Sequence, residues 1–195
     1  MSTARNYVST LKAHSFLFQE LKNLCILHLK GLTEQQLKLA IIQENLFQTG
    51  SLRRRKELGT VVLKRMYVLD AFLIGRLVNG DIETGKMIAL YSIMKTDALF
   101  LDFMVEMIAD KLSIMDLDLN DQDFVIFFER KQQQNQVVRN WSKSTLHKLA
   151  QVYIRILVES GLLRNKNDDR ELIRPIIDPD VKDYLAKFDI VYMIW

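Results

Sequence analysis

Both prolines of this chain, Pro175 and Pro179, stand near its C-terminus, so everything before them lacks the strongest helix breaker. A proline-free run of that length favours helix. Of 195 residues 49% are apolar, enough for one sizeable core or two small ones. Helix ends are marked by residues whose side-chain oxygens accept first-turn N–H groups. The sequence predicts a helix from Phe16 to Lys30, stopped by Gly31, and a short one opened by the capping-box pair Thr33 and Gln36. Ser51 is read as the cap of a long helix from Leu52 to Asn79, which Gly80 ends. Asp81 caps a helix to Lys95, Thr96 one running to about Ile114, and Asn120 one carrying Phe124, Phe127 and Phe128. Asp178 before Pro179 has the order of an N-cap and N1 proline, so a last short helix follows.

The stretch from Asn140 to Ile177 reads as a buried helix followed by a two-stranded hairpin, the outline of a winged helix-turn-helix. Ser142 caps that helix and Gly161 stops it; Leu146, Leu149, Ala150, Tyr153, Ile154 and Leu157 form its inward stripe. The opposite face carries Lys143, Ser144, His147, Lys148, Gln151 and Arg155. Lysine and arginine there can meet phosphates, while Ser144, His147 and Gln151 can reach base edges. Asn165 and Lys166 fall in the wing of such a unit. A basic outer face is more often simply solvated, so the hairpin behind it is what gives the charge a shape.

Charge is segregated. From Ser51 to Met66 six bases face Glu57 alone, for a net +5; from Asp97 to Asp123 eight acids face Lys111, for −7. Between Arg130 and Lys166 eight bases face Glu159, for +7. Two basic segments around an acidic one suggest one surface for a polyanion and another for a basic partner. Arg53, Arg54, Arg55 and Lys56 fan through one helical turn and can straddle a phosphate backbone, with Lys64 and Arg65 extending the charge.

Catalytic chemistry is thinly supplied. Cys25 is the only cysteine, which excludes an intrachain disulfide and fits a reducing cytoplasm; Cys25 with His28 offers two metal ligands without companions. Asp116, Asp118, Asp121 and Asp123 have the composition of a magnesium site but occupy a turn and a helix start. No phosphate-binding glycine loop or nucleophile elbow is present, so neither an enzyme nor a cofactor is expected. Apolar runs are interrupted by charges such as Arg76, Asp102 and Glu106, which argues against a membrane span. The apolar tail DIVYMIW is expected to dock on the body or on a partner.

The strings ENLFQ (44–48), IALYSIMKTDALFLDFM (88–104), WSKSTLHKLAQ (141–151) and LVESGLL (157–163) resemble the BrxA proteins of bacteriophage-exclusion (BREX) defence systems. The resemblance implies a small, mostly helical, non-enzymatic bacterial component of a multi-gene phage-resistance system that includes a DNA methyltransferase, a large ATPase and a phosphatase-like protein. It also implies DNA binding, with other BREX components as partners. The combined expectation is an all-α protein: a multi-helix N-terminal bundle over 1–117 and a winged helix-turn-helix-like unit with a small β-hairpin over 118–195. Duplex DNA would be held mainly through phosphates by Arg53, Arg54, Arg55, Lys56, Lys143, Lys148 and Lys166, with an adaptor role between proteins as the alternative.

Overall fold

The capping residues read from the sequence set most of the helix boundaries in the computed structural model, which describes residues 7–166 and 169–189. A 3₁₀ turn, Thr10–Ala13, precedes α1 (Phe18–Leu29), α2 (Glu34–Ile42) and α3 (Leu52–Tyr67). Thr33 and Gln36 make both halves of the capping box on α2, and Ser51 accepts the Arg54 N–H at the start of α3. Then comes α4 (Ala71–Asn79), so the single helix expected from Leu52 to Asn79 is two. The cause is Asp70, whose carboxylate accepts the Leu73 N–H at 2.9 Å and starts a new helix. A second correction is local: Asp97, not Thr96, caps the helix after α5 (Ile82–Thr96). Asp97 accepts the Phe100 N–H at 2.9 Å, whereas the Thr96 hydroxyl turns back to the Ser92 carbonyl at 2.7 Å.

Helix α5 is central. Every residue from Met87 to Met94 is buried, the pattern of a helix surrounded on all sides, and α5 packs against α1, α3 and α4. It leads into α6 (Ala98–Phe103), a π-helical stretch (Met104–Ala109) and α7 (Asp110–Ser113). After a turn at Met115, α8 (Asp121–Gln134), α9 (Gln136–Arg139) and α10 (Lys143–Ser160) follow. Phe103 of α6 joins these parts: its ring lies 5.1 Å from Phe124, 5.2 Å from Phe127 and 5.2 Å from Tyr153 of α10. Burying each such ring stabilises the fold by about 1.5–3 kcal/mol. One continuous apolar core runs from Leu11 through α5 to Leu172.

A buried ion cluster ties α8 to the same place. Lys131, 2% exposed, donates to Asp102 at 2.6 Å and to Glu106 at 2.5 Å. The Tyr7 hydroxyl also donates to Asp102, at 2.5 Å.

Gly161 ends α10 with φ +92°, the left-handed conformation the sequence required there. Strands β1 (Leu163–Lys166) and β2 (Asp169–Leu172) then pair antiparallel, Leu163 opposite Leu172 and Asn165 opposite Arg170. A third segment joins them. Leu119 N–H donates to Arg170 at 2.9 Å, Leu172 N–H donates to Leu117 at 2.7 Å, and Asp118 bridges Glu171. The sequence did carry a signal for it: Asp116-Leu117-Asp118-Leu119 alternates with period two, and Leu119 is buried while Asp118 is exposed. Finally α11 (Pro179–Phe188) docks on α4 and α5, through Arg76 to Asp178 at 2.8 Å and the Phe72 and Tyr184 rings 4.7 Å apart. The tail from residue 190 onward, expected to dock, lies outside the described residues.

Candidate nucleic-acid interface

Helical geometry divides the α10 residues into two sets. Successive side chains turn by 100°, so Ser144, Lys148 and Arg155 project as an outer stripe. All three are exposed, and among the described residues neither Lys148 nor Arg155 makes an ion pair. Ser144 shares a hydrogen bond with the capping Ser142 at 2.9 Å. The other set, Lys143, His147 and Gln151, edges a groove of about 610 Å³ between α8 and α10. Its floor is apolar, made by Phe124, Phe128, Leu146, Ala150 and Ile154, and Glu129 stands on the α8 side. His147 Nε2 and Gln151 Nε2 lie 3.0 Å apart in a hydrogen bond to each other. A base reaching either group would have to displace that bond.

The α3 cluster is divided as well. Arg53 is 90% exposed and pairs with Glu57 at 2.8 Å. Arg54 reaches the Ala13 carbonyl at 3.3 Å, and Arg55 the Ile42 carbonyl at 3.0 Å. Lys56 is exposed. The charge extends along the helix only in part, since Lys64 is exposed and Arg65 is not. Arg65 is buried at 2% exposure, donating to Phe16 at 2.7 Å and Ser15 at 3.2 Å, and burial lowers its pKa to about 10. Lys64 donates to the Thr96 carbonyl at 2.8 Å. Arg65 is thus a structural brace for the chain entering α1, where Leu17 takes a left-handed φ of 55°.

The two basic segments meet across one element. The turn Thr10–Ala13 packs against α10 on one side and receives Arg54 of α3 on the other. Lys12 in that turn is exposed and, among the described residues, has no ion pair. Sequence alone could not add Lys12 to the set, because its position depends on long-range packing.

The acidic segment is mostly consumed internally. Asp102 and Glu106 hold Lys131, Asp116 and Asp123 hold Lys111 at 2.7 and 3.3 Å, and Asp121 holds Arg170 at 2.5 Å. Of the acidic face expected to meet a basic partner, Asp110, Asp118 and Asp121 remain exposed. No group of three or more metal-type ligands occurs among the described residues, and the Cys25 thiol is buried, its pKa pushed up to about 12. In the hairpin Asn165 is exposed, and Arg164 pairs with Glu171 at 2.8 Å. The side chain of Lys166 lies outside the described residues. No described helix is long and apolar enough to cross a membrane.

These features define a predominantly helical protein with a small antiparallel sheet between its last two helices and with exposed basic residues on α3, α10 and the turn between them. The chain belongs to the BrxA family, whose model matches residues 5–189. It is 46% identical over 188 residues to "BREX protein BrxA" of Bacillus cereus (strain H3081.97), covering 96% of this chain and 94% of that one. A second relative of the same name, from Paramagnetospirillum magneticum (strain ATCC 700264 / AMB-1), is 25% identical over 188 residues, again covering 96% and 94%. Among solved structures, that of an uncharacterized protein from Magnetospirillum magneticum superposes with a TM-score of 0.80 at 26% identity, covering 97% of each chain.

Proposed function

We propose that this BrxA-family chain is a non-enzymatic, cytoplasmic component of a BREX phage-resistance system that binds duplex DNA through phosphate contacts. In this reading residues 1–117 form a helical support and 118–195 a winged helix-turn-helix-like unit. The observation that carries it is the pairing of segment 117–119 with β2. With that strand counted, the order strand, α8, α9, α10, β1, β2 supports the winged-helix reading, in which the second long helix, α10, would enter the major groove. Ser144, Lys148 and Arg155 are the residues it would present, with Lys12 and Arg53 extending the grip. Sequence preference is modest, since His147 and Gln151 bond to each other.

The test is binding to an arbitrary duplex across a salt series. Replacing Lys148 and Arg155 by Glu should weaken every duplex alike and flatten the salt dependence by about 0.9 in slope for each lost phosphate contact. An unchanged slope and affinity, with helical content intact, would remove α10 from the interface.

The apolar groove beside α10 supports a second reading, an adaptor between BREX proteins with incidental DNA binding. That reading prevails if duplex binding disappears at physiological salt while a co-expressed BREX component still co-purifies.

A further inference from the structure

We propose that the cavity between α2 and α3 is a phosphate site, in which Lys38, Arg55 and Lys56 receive a phosphoryl group carried on a nucleotide-sized body. The cavity has a volume of about 270 Å³, and no acidic residue lines it. The run Arg53 to Lys56 is split by helix phase. Arg53 and Arg54 lie on the Glu57 side and pair with it, whereas Arg55, Lys56, Gly59, Thr60 and Leu63 form one stripe facing α2.

Lys38 enters from α2, a contribution not legible in the run itself. Its ammonium also holds Glu34, outside the lining. Arg55 is oriented by one bond, from Nη1 to the Ile42 carbonyl at 3.0 Å, and its buried Nε has no hydrogen-bond partner. Among the described residues Lys56 has no ion pair. A fork held at one nitrogen beside a lone ammonium suits the tetrahedral oxygens of phosphate.

The back wall explains the rest of the ligand. A Cβ on Gly59 would lie 2.9 Å from Ile41 Cγ2, so glycine there lets the two helices close against each other. Ile41, Ile42 and Leu63 line the wall below the bases. An inorganic ion would leave that wall unused; a sugar or base attached to the phosphate would cover it. Two sources carry this chemistry, a free nucleotide and the backbone of a nucleic-acid strand. The strand source rests on the duplex-binding reading at Arg55 and Lys56, and the free-nucleotide source does not.

The experiment follows the amide NMR signals of Lys56, Gly59 and Thr60 in the full chain during titration with inorganic phosphate and with AMP, using sodium chloride at matched ionic strength as reference. Saturable shifts in the millimolar range are expected, tighter for AMP, and lost in Lys56→Glu and weakened in the milder Lys38→Gln. For the free-nucleotide source, duplex affinity is the same in Lys56→Glu. For the strand source, duplex displaces phosphate from these signals and Lys56→Glu lowers the salt slope by about 1. Shifts no larger than those of chloride, or shifts that persist in Lys56→Glu, overturn the site. Failure of the duplex reading looks different: the wild-type chain ignores duplex while its phosphate shifts remain.

Discussion

Lys131 offers the sharpest test of how α8 is held. Its ammonium is 2% exposed and lies 2.6 Å from Asp102 and 2.5 Å from Glu106, with the Tyr7 and Phe127 rings 5.7 and 5.5 Å from it. Lys131→Met keeps the volume of the stem but takes the positive charge from an Asp102 side chain that is only 5% exposed. Removing one partner of a buried pair costs about 3–5 kcal/mol, because the remaining charge has already given up its water. For a chain of this size each kcal/mol moves the melting temperature by about 2–4 °C, so a loss on the order of 10 °C is expected. Urea unfolding followed by helical circular dichroism should show a lower midpoint at an unchanged slope. Adding Asp102→Asn to Lys131→Met should restore most of the loss, since asparagine still accepts from Tyr7 and carries no charge. A single variant within about 1 kcal/mol of wild type, or a double variant no better than the single, would refute the argument that uncompensated charge sets the cost.

Other outcomes follow from particular residues. His14 has its pKa lowered from 6.5 by burial and then by the charges of Arg54 and Arg65, so the folded chain binds this proton less readily than the unfolded one. Its contribution to stability is complete above pH 6.5 and declines as pH falls from there through the lowered folded value. His14→Gln should therefore show a smaller drop in urea midpoint than wild type across mildly acidic pH. At Gly161, with φ +92° and nothing within 4 Å of an added Cβ, alanine meets only the conformational penalty. That is about 1–2 kcal/mol, so Gly161→Ala should melt a few degrees lower and Gly161→Asn should lose less, because asparagine tolerates the left-handed region.

How far the candidate interface was legible depends on the range of the interactions that make it. Ser142, Gly161 and the apolar steps between them fix α10 locally, and its exposed face could be read directly because a helix repeats every 3.6 residues. The same periodicity could not say that His147 and Gln151 would bond to each other at the rim of a groove. Nor could it separate Arg65 from its neighbours. In the sequence Arg65 is one more base on α3; in the fold its guanidinium serves the carbonyls of Ser15 and Phe16, some fifty positions away.

What the sequence determined by itself was the helical class, most helix ends, the hairpin and the segregation of charge, all consequences of neighbours within about one turn or one strand pair. Tertiary structure decided which charges remain available. Packing brought Lys131 onto Asp102 and Glu106, Lys111 onto Asp116 and Asp123, and Arg170 onto Asp121, using up most of the acidic segment. It also added segment 117–119 to the hairpin and set the turn bearing Lys12 between α3 and α10. Ion pairs and strand pairs between distant residues depend on where the core places their backbones; a local pattern such as the alternation at 116–119 can mark a strand but not its partner.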